Sequence, residues 1–374
     1  MFVIFLAAIV ASSFSLNIDP ECYMTVPEII QHYGYPSEVH IVRTDDDYIL
    51  ELHRIPYGKH DEVTPNRPVV FLQHGVFSDS FAWVANLANE SAAFVFADAG
   101  LDVWMANSRG TPSSQKHIGY GPDEPRFWNF TWQDMSTFGL TASIDYILEK
   151  TKQIRQFHAL APVATVSHIG GLFRIFGYRL IDLAKFLLAR IPNTPLVFPK
   201  FIQKIISFFC SLPIAQGVCT LDIGFIDGTE KMFNTTRVGT YLCHMPAATS
   251  SKNILHWVQV VKSRKLNKFD YGPEGNMREY GTKDPPHYDL RKIRTPTYLY
   301  WSRDDILADM DDIREAILEK MNGTIRGSYE LPHYSHLDFV YSLNATNDIY
   351  YPIVLDIRKD LDSRRMLASN RVQK

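Results

Sequence analysis

"SIDYILEKTKQIRQFHALAPVATV", residues 143–166, holds the junction on which the fold turns. Its first part continues a helical pattern. Leu140, Ile144, Ile147 and Leu148 fall at i, i+4, i+7 and i+8, one apolar stripe, which predicts a helix over 136–151. Its last part, 157–166, runs nearly unbroken in apolar and small residues and predicts a buried strand. Only a few residues join the two.

The flanking segments alternate in the same way. "RPVVFLQHG" (67–75) and "LDVWMANSRG" (101–110) predict buried strands on the N-terminal side. On the C-terminal side "TPTYLYWS" (295–302) predicts a strand, and "GSYELPHYSH" (327–336) a strand running into a loop. Between these, "DMDDIREAILEKM" (309–321) predicts a helix with Asp309 as N-cap and Ile313, Ala316, Ile317 and Met321 on one side. Strand–helix alternation of this kind indicates an α/β fold, a mostly parallel sheet covered on both faces. Residues 167–221 interrupt it with helical, Phe-rich sequence in which Asp182 is the only acid, set against Arg174, Arg179, Lys185, Arg190, Lys200 and Lys204. Ile202, Ile205, Ile206 and Phe209 mark one face. Such a block fits a cap packed on the main domain, a lipid surface, or both.

With 374 residues, 46% of them hydrophobic, the chain can bury a large core. A net charge of -3 with interspersed signs gives no footprint for nucleic acid. "MFVIFLAAIVASSFSLN" opens the chain as a short apolar run ending in small residues, which predicts a signal peptide over 1–16; no later segment is long and uncharged enough to span a bilayer. Five N-x-S/T sequons, at Asn89, Asn129, Asn234, Asn322 and Asn344, predict a glycoprotein of the secretory route, secreted or lysosomal. Cys22, Cys210, Cys219 and Cys243 allow three full pairings or none. Proximity favours Cys210 with Cys219, whose spacing matches no common zinc site; no metal and no cofactor is expected.

Two acid–base residues stand out. Asp305 follows the strand at 295–302 directly, and His336 follows the next one. Parallel strands open both loops at the carboxyl edge, where open α/β sheets hold their sites. An acid and then a histidine one βα unit apart is the order of a hydrolase triad, in which the carboxylate fixes the imidazole that serves as base. With Asp309 as the helix cap, Asp305 has no capping role to explain it. "HGV" at His74–Val76 closes an earlier strand, where a main-chain N–H can donate to an oxyanion.

"FLQHG" (71–75), "DVWMANSRG" (102–110), "HALAPVATV" (158–166), "HMPAATSSKNILHWVQ" (244–259), "DDILAD" (304–309) and "HLDF" (336–339) together resemble the acid lipases, the neutral-lipid esterases that include gastric and lysosomal acid lipase and many insect members. The resemblance runs from about Asn17 to beyond His336. It implies an α/β-hydrolase core at 17–166 and 290–374 and a helical cap with a lid at 167–289. It implies that triacylglycerols or cholesteryl esters, met at a lipid–water interface, are the substrates. It also implies a Cys210–Cys219 disulfide, Asp305 and His336 as charge relay, and Val76 as an oxyanion donor.

The same resemblance shows what the opening stretch lacks. The family order places a strand, a G-x-S-x-G elbow and a helix between 143–151 and 157–166. No G-x-S-x-G occurs anywhere in the chain. The absent unit amounts to a strand of about six residues and a helix of about twelve, and with it go the nucleophilic serine and a second oxyanion donor. Ser108 and Ser167 stand on no elbow and do not replace it. "FGLTA" (138–142) stands where the family carries Tyr-Asp-x-Pro-Ala. Three readings follow. The first is an ester hydrolase lineage with catalysis impaired here. The second is a non-catalytic lipid-binding pseudolipase. The third is a shortened product that does not fold productively. If the fold closes up, the strand at 157–166 slides into the vacant place, which the right-handed crossover rule permits.

Overall fold

The computed structural model describes residues 19–372 apart from 152–154, 171–180, 213–214, 216–218, 220–231, 233 and 322. The expected signal peptide and the Asn322 sequon therefore lie outside the described residues. The chain enters through α1 (Val26–His32), whose start is fixed by a Thr25–Glu28 capping box. β1 (Glu38–Arg43) and β2 (Tyr48–Ile55) form an antiparallel hairpin turning at Asp47. β3 (Val69–Leu72), α2 (Ala92–Asp98) and β4 (Asp102–Met105) follow, with β3 and β4 parallel. α3 (Thr141–Thr151) then leads toward β5 (Phe157–Leu160). β6 (Thr297–Trp301) and β7 (Ile325–Glu330) follow a long, mainly helical stretch and are parallel to β5 and to each other.

The sheet is divided. One part runs β1-β2-β4-β3, with the two-residue strand Lys116–His117 added on β2, and the other runs β7-β6-β5. No ladder joins β3 to β5 among the described residues. The strand at 157–166 has not moved into the vacant place: among the described residues β5 pairs with β6 alone, in register Phe157↔Thr297 to Leu160↔Tyr300. It is also shorter than its sequence suggests. Ala161 takes φ +45° and Pro162 follows, so the extended ladder ends at Leu160. The two halves are nonetheless packed on one core. Leu72, Val103 and Met105 of the first sheet and Ala159, Leu299 and Tyr300 of the second belong to the same buried cluster.

The division exposes what the sequence marks as buried. Val69, Val70 and Phe71 of β3 are only half-buried, and Phe157 of β5 is 53% exposed. The ladder contacts of β3 reveal which main-chain groups are left over. Pro68 and Leu72 accept from Asp102 and Ala106 of the β4 segment, so in a parallel ladder Val69 and Phe71 turn their N–H and C=O outward. By the same alternation Phe157 and Ala161 donate toward β6, so His158 and Leu160 point their groups off the β5 edge.

The predicted helices are present in modified form. A π-helical turn at Met135–Leu140 precedes α3, so the helix expected over 136–151 is α-helical only from Thr141. Between β5 and β6 lie α4 (Ile181–Arg190), α5 (Lys200–Ser211), α6 (Val238–His244), α7 (Ser251–Ser263) and α8 (Pro273–Tyr280). α9 (Met310–Ile313) passes into a π-helical turn at Arg314–Leu318, and α10 (Tyr351–Val372) closes the described chain. Two disulfides form, Cys210–Cys219 from the end of α5 and Cys22–Cys243 between the N-terminal segment and α6.

Candidate active site

Asp305 sits in the loop after β6 and His336 in the loop after β7, both at the carboxyl edge. The sequence separates them by a strand and a helix; the fold brings His336 Nδ1 to 2.9 Å from Asp305 Oδ2. Asp305 is buried, and its other oxygen accepts from the Leu307 and Ala308 N–H groups, each at 2.8 Å. Those bonds fix the carboxylate before any imidazole arrives. Asp309 accepts from Asp311 N–H and caps α9, which leaves Asp305 to His336. The histidine loop is pinned on both sides of His336. Asp304 accepts from His333 N–H, and Asp338 accepts from the Ser335 N–H and hydroxyl. An oriented imidazole with one nitrogen held by a buried carboxylate is the arrangement of a general base.

Val76 lies in the turn after β3, 48% exposed, and its N–H has no partner among the described residues. The turn is shaped by Phe77 at φ +58°, whose carbonyl accepts from Ala247 N–H of the cap. His74 beside it is locked. Its Nδ1–H donates to the Gly75 carbonyl, and Nε2 accepts from Ser108 N–H, so the neutral tautomer is specified from both ends. Desolvation of the ring lowers its pKa to about 4. This lock joins the ends of β3 and β4 and has no signal in the sequence, because its partners lie 34 residues apart.

The nucleophile position is the gap in the set. Ser108 ends the β4 segment with its Oγ accepting from Gln73, and Ser167 is buried after β5. Neither lies on a strand-to-helix turn; residues 109–115 and 168–170 form no helix. The strand whose end would carry an elbow falls between β3 and β5, where the sheet is divided.

A second feature lies on α4 and α5. In α5 the inward positions are Gln203, Ser207 and Cys210, while Phe201, Ile205 and Phe209 are 65%, 52% and 55% exposed. Phe186 and Leu187 of α4, and Val197 and Phe198 between the helices, are exposed as well. The face marked by Ile205, Ile206 and Phe209 thus looks outward, and the polar face packs. Arg190 lies over Phe186 and Lys204 over Tyr23, while Asp182 is paired with Lys262.

Residues 26–87 match a family model described as a partial alpha/beta-hydrolase lipase region. The chain is 39% identical to lipase lipl-1 of Caenorhabditis elegans over 399 residues, covering 95% of this chain and 96% of that protein. It is 37% identical to the gastric triacylglycerol lipase of Homo sapiens, covering 91% and 92%. The chain belongs to the acid lipase family. A putative lysosomal acid lipase/cholesteryl ester hydrolase of Crotalus adamanteus is also 37% identical, with 92% of each chain covered. Among solved structures, a soluble variant of the Saccharomyces cerevisiae monoglyceride lipase covers 87% of this chain and 98% of its own, with a TM-score of 0.50 and 11% identity. That likeness shows the α/β-hydrolase fold. The alignment with the nematode lipase spans 399 positions against the 374 residues of this acid lipase relative, so the nematode protein carries positions with no counterpart here.

Proposed function

We propose that this chain is a lipid-surface-binding member of the acid lipase family that does not run serine acyl transfer. The observation that carries the reading is the division of the sheet between β3 and β5 beside a formed His336–Asp305 pair. In the family mechanism the serine attacks the ester carbonyl, His336 takes its proton and returns it to the leaving alcohol, Asp305 steadies the imidazolium, and Val76 N–H holds the oxyanion. Without the elbow the base has no nucleophile placed to receive it, and loss of the nucleophile removes most of the rate enhancement.

The outward apolar face of α4 and α5 supports the binding half of the proposal. Exposed Phe, Leu and Ile side chains with Arg and Lys around them suit insertion at a lipid surface. No helix among the described residues is long and apolar enough to cross a membrane. The sequon residues Asn89, Asn129 and Asn344 are exposed and Asn234 is half-buried, which together with two disulfides fits passage through the secretory route to the outside or to a lysosome.

The test uses protein recovered from the medium, with a fluorophosphonate ester as active-site label and a triolein emulsion as surface. Sedimentation with the emulsion and absence of label is the expected result. A stoichiometrically labelled serine, named by its peptide, overturns the catalytic half. Failure to sediment, or binding unchanged in a Phe201→Ser/Ile205→Ser/Phe209→Ser variant, overturns the binding half.

A further inference from the structure

We propose that His168, Asp309 and Asp312 form a binding site for a divalent transition ion of the Zn2+ type. The site is separate from the His336–Asp305 pair and independent of the proposed lipid binding. Its residues come from two segments that the fold clamps together, the loop after β5 and the start of α9. Gly170 N–H donates to the Ile306 carbonyl at 2.7 Å, and a Cβ on Gly170 would meet Ile306 Cβ at 3.0 Å, so the segments lie in van der Waals contact. Thr165 Oγ1 and His168 N–H both donate to the Asp312 carboxylate.

One ligand atom from each of the three residues lies within 4.8 Å of the other two. One edge, His168 Nδ1 to Asp312 Oδ1, is 3.1 Å, held as a hydrogen bond in the absence of an ion. Four-coordinate zinc with Zn–N and Zn–O bonds of about 2.1 Å has ligand–ligand edges of about 3.4 Å, so that edge is already close to the required bite. One imidazole with two carboxylates suits Zn2+, Co2+ or Ni2+ better than Ca2+ or Mg2+, which ask for six or more oxygens. The remaining position opens to solvent, because the His168 side chain is 41% exposed.

The charge balance points the same way. Asp312 is buried and Asp309 half-buried, yet among the described residues neither forms an ion pair with a Lys or Arg; Arg314 pairs with Asp311 and Glu315 instead. A bound cation would offset the carboxylate charges and staple the β5 loop to α9, a few residues beyond Asp305. Sequence spacing gives no hint of it, since His168 and Asp312 are 144 residues apart.

The full chain, stripped with chelator and titrated with ZnCl2 in a calorimeter, tests the site. Binding of one Zn2+ per chain with a raised melting temperature, and no such effect from MgCl2, is expected. Asp309→Ser keeps an N-cap oxygen on α9 and removes one ligand, and His168→Gln removes another. Each is expected to weaken binding at least tenfold while the metal-free melting temperature stays near that of the parent. X-ray absorption of the zinc form is expected to show N/O ligands including imidazole. No binding, or binding unchanged in both variants, overturns the proposal.

Discussion

At the residue scale the Asp305–His336 pair separates a structural role from a catalytic one. Asp305 is buried and accepts two main-chain N–H groups besides the imidazole. Replacing it with Ala strands those donors, which costs about 1–3 kcal/mol. The expected result for Asp305→Ala is a lower urea midpoint with unchanged slope. His336→Ala, by contrast, is expected to leave the residual hydrolysis of a soluble p-nitrophenyl ester within about twofold of the parent, because a base without a nucleophile contributes little. A loss of a hundredfold or more would mean that His336 activates a serine after all. Four desolvated histidines, His256 buried and the others half-buried, make a further difference. His74, His158, His244 and His256 have pKa values lowered to about 4, in each case first by desolvation. Their unfolded value is about 6.5. A depressed folded pKa means that the unfolded chain binds more protons, so this stability is complete above pH 6.5 and is lost as pH falls toward 4. At up to roughly 2 kcal/mol for each residue by pH 5, and less where water reaches the ring, a melting temperature that falls steadily from pH 7 to pH 5 is expected. A flat or rising profile would contradict the assignment. Asp305 was legible because it closely follows an apolar strand, and His336 because it closes the next strand-to-loop segment. The His74–Ser108 lock and the His168 cluster were not, because their partners meet only through tertiary packing.

At the element scale the sequence names the strands well and their limits poorly. β3, β4 and β5 are each four residues long where apolar runs of nine or ten were visible. Apolar character continues into loops that pack on the core, so hydrophobicity marks burial and not ladder length. The β1–β2 hairpin and α10 carry no chemistry and were not singled out. α5 shows the converse case. Its apolar stripe is plain in the sequence, but periodicity alone does not say whether the stripe faces the core or a surface; the small and polar positions Gln203, Ser207 and Cys210 face in. What holds α6 is also tertiary. Cys22–Cys243 ties it to the N-terminal segment, and Arg237 at its start pairs with Glu21. The bond closes a sequence separation of 221 residues, against 9 for Cys210–Cys219. Removing the long crosslink with Cys22→Ser/Cys243→Ser is expected to cost about 2–4 kcal/mol, and removing the short one clearly less. Calorimetric melts of the two double variants without reductant decide it. Equal losses would mean that strain or local packing, and not chain entropy, sets the contribution.

At the scale of the whole molecule, the division of the sheet is a statement about which amides water can reach. An ordinary central strand of an α/β sheet is paired on both sides and sheltered by helices on both faces. Here, among the described residues, β3 and β5 each keep one partner. Val69 and Phe71 on one edge, and His158 and Leu160 on the other, turn their main-chain groups away from the neighbouring strand, whereas Val70 and Ala159 turn theirs toward it. If the described edges stay open in solution, amide exchange must alternate along both strands. Val69, Phe71, His158 and Leu160 are expected to exchange at least tenfold faster than Val70 and Ala159, because the first set needs no ladder to open. Exchange read at single-residue resolution at low protein concentration tests this. Uniform protection along both strands would show that some other segment pairs with the edges. The same measurement repeated at rising concentration separates two sources of such protection. Open edges are templates for a second chain, so protection that grows with concentration would mark pairing between copies. Protection independent of concentration would place the covering segment within one chain.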